Sequence, residues 1–340
     1  MTIKDVAAKC GVSVSTVSRV LNNHPDVSAA VREKVMAAVE ELHYIPNNSA
    51  RDLVKPQAST IGVVVRGVGN PFFTSIITAV ESEAEKYGYT IILNHIRSGE
   101  DELVAGAEMA RSKRLKGLIL MGGCYDYTPE QVASLDVPFV CCTFTNTFGN
   151  LGKDTFSSVS ISDRDVAKHA VEHLIAKGHK KIAIILDSIC DRSISELRYK
   201  GYLEALKSNG IEPDYDLVEE IYFFDMKSAY EGTLRMIDRG ADFTALFVIA
   251  DSLALAAMKA LSDRGRKVPE DCSVISIDGI DMSLYSIPTL TTLIQPTEEM
   301  GRDAVRTLVS VIEENGKHMH LRYDTTLREG GTVAPPKAES

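Results

Sequence analysis

No stretch of the 340-residue sequence approaches the roughly 18 to 20 consecutive apolar residues that a membrane helix needs, and the first residues lack the apolar core of a secretory signal. Neither a membrane protein nor an exported one is expected, which leaves the cytoplasm. Paired cysteines are missing too. Cys10, Cys124, Cys141, Cys142, Cys190 and Cys272 are scattered, with neither metal-ligand spacing nor a disulfide pattern, and they read as reduced thiols in apolar surroundings. Catalytic signatures are equally scarce. There is no GxxxxGK followed by Ser or Thr, no Gly-x-Ser-x-Gly elbow and no histidine-rich metal site; His179 in "GHKK" stands alone and is expected to be structural. The nearest approach to a dinucleotide loop, Gly67-Val68-Gly69-Asn70-Pro71-Phe72, places Phe72 where the helix needs Gly or Ala. No enzyme, cofactor or metal is expected.

Excess positive charge is also lacking, since the net charge is -10. It is unevenly spread. Residues 1–56 hold seven Lys or Arg against six Asp or Glu, leaving thirty against forty-one for the rest. The head is therefore far less repulsive to phosphate than the body. The chain is long for a single core, so two or three domains are expected.

What is present begins at the N-terminus. Residues 3–22 read as a short helix, a break at Gly11 and a second short helix, with Ala7 small where the helices cross and Val6, Cys10, Val12, Val17 and Val20 facing inward. Ser13 is placed to cap the second helix, whose first turn then points at base edges in a major groove. A third helix is predicted from near Ser28 to about Tyr44, with Val31, Val35, Val39 and Leu42 on one face. The polar second helix makes a poor packing surface and a good nucleic-acid surface. Pro46 ends the third helix, and Asn47 to Leu53 offers about two helical turns, too few to be stable alone in water.

The segments "TIKDVAAKCGVSVSTVSRVL" (Thr2 to Leu21) and "YIPNNSARDL" (Tyr44 to Leu53) closely resemble the head and hinge of the lactose-repressor (LacI/GalR) family, and the resemblance continues through the chain. It implies that Val14, Ser15 and Arg19 read bases in the major groove, and that Ser13, Thr16, Ser18 and Asn22 contact phosphates. It also implies that Leu53 wedges into the minor groove, with Ala50 allowing two hinge helices to pack closely. Val54 follows the wedge where some relatives carry a basic residue.

From Ile61 onward, apolar strand-like runs alternate with amphipathic helices: 61–66, 90–94, 117–121, 139–142, 181–186, 245–249 and 273–278. Such alternation predicts parallel sheets covered on both faces. "IGVVV" leading to "EAEKYGYTIIL" is echoed by "KIAIIL" leading to "LEALKSNGIEP", so two similar α/β lobes are expected, with a ligand cleft at their facing strand ends. The resemblance implies a periplasmic-binding-protein-like body with crossings near 158, 290 and 320. The expected organisation is a helix-turn-helix domain (1–45), a hinge (46–58), an effector-binding domain (59–334; one lobe 59–158 and 291–319, the other 159–290 and 320–334) and a tail (335–340). Family matching places Phe72, Phe73, Arg192, Arg198, Phe224, Asp251 and Asp278 at the cleft, with Ser162 where many relatives have Asp and Ile194 where some have a hydroxyl. Aromatic faces, guanidinium forks and carboxylates suit a sugar, a sugar phosphate or a purine, a carbohydrate being favoured. The sequence ends in "APPKAES" without a heptad helix, so a homodimer on double-stranded operator DNA is expected rather than a tetramer. A solute-binding transport protein would share such a body but has no use for the head.

Overall fold

A computed structural model describes residues 2–21, 24–44, 59–67, 69–97, 99–190 and 192–337; Asn22 and the hinge, including Ala50 and Leu53, lie outside the described residues. The chain divides into two compact units, 1–58 and 59–340.

In the first unit, helices α1 (Ile3–Cys10), α2 (Val14–Leu21) and α3 (Ala29–Glu41) surround a small core. Gly11 takes φ 61°, a left-handed turn that ends α1 and that glycine adopts without strain. Ser13 Oγ accepts from the Thr16 amide at 3.1 Å, capping α2. Val6, Ala7, Cys10, Val17, Val20, Val35 and Ala38 are buried together, with Val12, Val31, Val39 and Leu42 packed on them. The third helix stops earlier than predicted: His43 at φ 46° turns the chain, and the Tyr44 amide bonds back to Val39 O at 3.0 Å.

The second unit holds two six-stranded sheets. In the first lie β1 (Thr60–Arg66), β2 (Thr90–Ile96), β3 (Gly117–Met121), β4 (Phe139–Cys142), β5 (Ser157–Ile161) and β11 (His320–Tyr323), all parallel, in the order β11-β5-β4-β3-β1-β2. The second holds β6 (Ile182–Leu186), β7 (Val218–Glu220), β8 (Ala245–Val248), β9 (Ser273–Asp278), β10 (Thr291–Ile294) and β12 (Thr326–Arg328), in the order β12-β10-β9-β8-β6-β7, with only β12 antiparallel. Central strands such as Gly117–Met121 and Ile182–Leu186 are buried throughout, as expected where helices cover both faces.

Covering helices include α4 (Phe72–Lys86), α5 (Glu102–Lys113), α6 (Pro129–Val132), α7 (Asp163–Ala176), α8 (Ile194–Ser208), α9 (Met226–Asp238), α10 (Asp251–Asp263) and α11 (Thr297–Glu314). In each lobe two of them cross at a glycine. A Cβ on Gly201 of α8 would lie 2.1 Å from Arg164 O of α7, and one on Gly301 of α11 would lie 2.7 Å from Ile76 O of α4. The lobes are joined three times, after β5, β10 and β11, a few residues later than the resemblance implied. Ser157–Ile161 continues the first sheet and Thr291–Ile294 the second, each completing its ladder before the chain leaves. Among the described residues no helix is long and apolar enough to cross a membrane.

Candidate functional site

In the first unit, α2 exposes a polar face that carries the residues named from the sequence. Val17 and Val20 of α2 are buried while Val14, Ser15 and Arg19 are exposed on its other side, a division that the 3.6-residue period imposes. Ser13 Oγ lies 2.7 Å from Ser15 Oγ and 2.8 Å from Thr16 Oγ1, so the start of α2 carries a row of linked hydroxyls. Thr16 and Ser18 are half-buried on its flank. Arg19 reaches Asp26 at 3.2 Å, both side chains being largely exposed. An exposed pair of this kind is worth about 0–1 kcal/mol, so a base edge or a phosphate can displace it.

The second unit encloses a cavity of about 570 Å³ between the lobes, at the carboxyl ends of their strands. Phe72 and Phe73 open α4, where Asn70 Oδ1 accepts from the Phe72 amide at 3.1 Å. Their rings meet edge to face at 5.4 Å, and both line the cavity. Phe224 faces them from the other lobe, together with Arg192, Ile194 and Arg198. Arg192, held at φ 54°, is exposed and approaches Asp126 of the opposite lobe at 3.6 Å.

Arg198 is 1% exposed. Its Nε and Nη2 donate to Asp163 Oδ1 at 3.1 and 2.9 Å, Nη1 donates to the Ile249 carbonyl, and Nη1 lies 3.9 Å from Asp278 Oδ1. Most of its fork is thus spent on Asp163. Sequence reading passed over that carboxylate because it singled out Ser162, whose hydroxyl here donates to Asp165 Oδ2 at 2.6 Å.

Asp278 ends β9 at φ 132°, a conformation that side chains avoid and that functional sites retain. Gln295 Nε2 donates to its Oδ1 at 2.9 Å, while Oδ2 is buried without a partner among the described residues. Burial, partly offset by Arg198, pushes its carboxyl up to about 8. Asp251, grouped with it from sequence, does not line the cavity. Its carboxylate accepts from Ser276 Oγ at 2.5 Å, Thr292 Oγ1 at 2.6 Å and the amides of Gly279 and Ile280 at 3.0 and 2.9 Å. It therefore fixes the turn that follows Asp278.

The wall also holds residues that the sequence did not assign to the cleft, among them Arg66, Cys124, Thr143, Asp187, Asp225 and Gln295. Arg66 ends β1, a position that the strand pattern marks as facing a cleft. His179, as expected, is structural: buried, it bonds Thr244 Oγ1 at 2.9 Å, Ser273 Oγ at 3.0 Å and Ala334 O at 2.9 Å.

Comparison with known proteins places residues 2–47 among bacterial regulatory proteins of the lacI family and matches residues 171–333 to a periplasmic binding protein-like domain. The HTH-type transcriptional regulator MalR of Clostridium butyricum is 39% identical over 333 residues, 97% of this chain and 98% of that protein. Among solved structures, a lac repressor dimer bound to operator and the anti-inducer ONPF matches with a TM-score of 0.74 at 29% identity, covering 98% of this chain and 99% of that one. A complex of the transcriptional regulator CelR with cellobiose matches with a TM-score of 0.71 at 30% identity, covering 98% and 99%.

Proposed function

The chain belongs to the lacI family of bacterial regulatory proteins, and from that premise we propose that it is a repressor which binds a pseudo-palindromic operator as a homodimer in the cytoplasm, on nucleoid DNA, and answers to a small carbohydrate held between its lobes. The observation that carries this reading is the pairing, in one chain, of a head whose α2 exposes Val14, Ser15 and Arg19 with a body whose interlobe cavity is lined by Asp278, the Oδ2 of which has no partner among the described residues. The solved lac repressor is described as a dimer on operator, and CelR as a complex with cellobiose; both roles fit the geometry of this chain.

Two-fold symmetry requires two heads to meet two half-sites, one on each side of the operator centre. Val14, Ser15 and Arg19 then read base edges, and Ser13, Thr16, Ser18 and Asn22 set register on phosphates. Leu53, with Ala50 packed against its twin, enters the central minor groove and kinks the duplex. In the body, Phe72, Phe73 and Phe224 cover the apolar faces of the ligand, Arg192, Arg198 and Asp278 take its polar edge, and Asp251 holds the Asp278 turn in place. A ligand that changes the angle between lobes changes the spacing of the two hinges, and shifts them only by its differential affinity for the two states.

Selection of duplexes from a random library by the purified protein tests the DNA half of this reading. Enrichment of a two-fold symmetric site is the expected result; a pool that stays random at every salt concentration would reject it.

A further inference from the structure

The cavity is lined by four arginines, Arg66, Arg97, Arg192 and Arg198, a number that at first favours a phosphorylated ligand. Their wiring favours the opposite. Buried Glu102 binds Arg66, buried Asp163 binds Arg198, and Asp126 stands 3.6 Å from Arg192. Arg97 is exposed at the rim, where solvent and salt screen it. Two more carboxylates, Asp187 and Asp225, share the wall, whereas Asp278, its carboxyl pushed up to about 8, holds a proton at neutral pH. Carboxylates therefore outnumber guanidinium groups in and directly behind the wall, and a phosphate entering the cavity meets a field of its own sign.

Arg66 is held with unusual completeness. Glu102, 2% exposed, accepts from Arg66, from the Cys124 amide at 2.6 Å and from the Tyr127 hydroxyl. The Arg66 fork also donates to Cys124 Sγ at 3.3 Å and to Glu100 O at 2.8 Å. Both terminal nitrogens are committed, and the charge is neutralised. One donor remains: Nε is buried and has no partner among the described residues. Across the cleft, Asp278 Oδ2 is in the same condition. Buried polar atoms without partners are costly and rare, and a hydroxyl satisfies either of these two.

Resting on the effector reading above, we propose that the ligand is an uncharged polyhydroxylated molecule, a sugar without phosphate or carboxylate, and that Arg66 is a specificity-determining residue of the first lobe. Arg66 Nε donates to one ligand hydroxyl while Asp278 Oδ2 hydrogen-bonds to another.

Calorimetric titration of the full chain with ribose, glucose and cellobiose, and with ribose 5-phosphate and glucose 6-phosphate, tests this. At least one neutral sugar binds, and binds about tenfold or more tightly than any phosphate in the set. Arg66→Lys, which keeps a cation opposite Glu102 but removes Nε, weakens that sugar about tenfold. Glu102→Gln uncovers the Arg66 charge and moves the sugar-to-phosphate preference toward the phosphate; it decides the matter should the lysine variant fail to fold. A wild-type preference for a phosphate overturns the proposal, as does a folded Arg66→Lys protein with undiminished affinity, or a Glu102→Gln preference that does not move. Silence from every compound, neutral and charged, strikes the effector reading itself and removes this inference with it.

Discussion

Asp278 combines a φ of 132°, burial, an Oδ2 without a hydrogen bond among the described residues and a carboxyl pushed up to about 8. An unfolded chain holds the same group near about 3.9. Between these values the native state carries a proton that the unfolded state lacks, so the stability of the unliganded protein falls as pH rises from about 4 to about 8. Asp278→Asn removes that penalty. The variant is expected to melt higher than the parent at pH 8, by about 2–4 °C for each kcal/mol recovered, with the difference shrinking at pH 5, and to bind sugar more weakly; scanning calorimetry at both pH values checks it. Arg19, whose exposed tie to Asp26 is easily given up, behaves differently. If it reads a guanine, Arg19→Ala costs about 1–3 kcal/mol on the selected operator and relaxes base preference there; equal losses on scrambled DNA would assign it to phosphate. Arg19 was singled out in the sequence because the resemblance that implies its role is carried by one contiguous segment, Thr2 to Leu21. Arg66 was not, because its importance depends on Glu102 and Cys124, which the chain brings to it from 36 and 58 residues away. Asp251 shows the converse: a carboxylate at a strand end looks like a ligand until Ser276 and Thr292 are found to hold it.

Helix and strand assignments from sequence succeeded where apolar periodicity was strong. β3, β4 and β9 fall where the runs 117–121, 139–142 and 273–278 placed them. The strands left unread, β5, β7, β10, β11 and β12, are short and rich in Ser, Thr, Glu and His; their ladder partners, and in three cases an edge position, make them strands, not their composition. Helix packing has its own signature in the glycines. Gly201→Ala drives a methyl into the Arg164 carbonyl at the crossing of α7 and α8, and is expected to destabilise the body by about 1–3 kcal/mol, read by urea denaturation of the purified protein. An unchanged midpoint would mean that the two helices part without cost. Leu53→Ala acts on the hinge: it should lower operator affinity and the DNA bend angle seen by gel mobility, while sugar affinity stays as it was.

The two lobes are linked by more than their three chain crossings. Arg192 approaches Asp126, Lys200 Nζ lies 4.7 Å over the Phe148 ring, and Ile194 and Leu197 pack against the apolar cluster of the first lobe. A ligand bound beside these contacts adds to them or breaks them, and so biases the angle between lobes. The general division into a reading head and a two-lobed sensor was visible from the sequence, since it needs only the order of motifs. The charge balance of the cavity was not, because it depends on carboxylates standing behind the wall. Operator affinity at fixed salt, measured by fluorescence anisotropy with a labelled symmetric duplex and its scrambled counterpart, tests the coupling of head to body most directly. A sugar that raises the melting temperature should change affinity for the symmetric duplex by about 5- to 150-fold and leave the scrambled one nearly untouched. A sugar that binds the body and alters neither would contradict it.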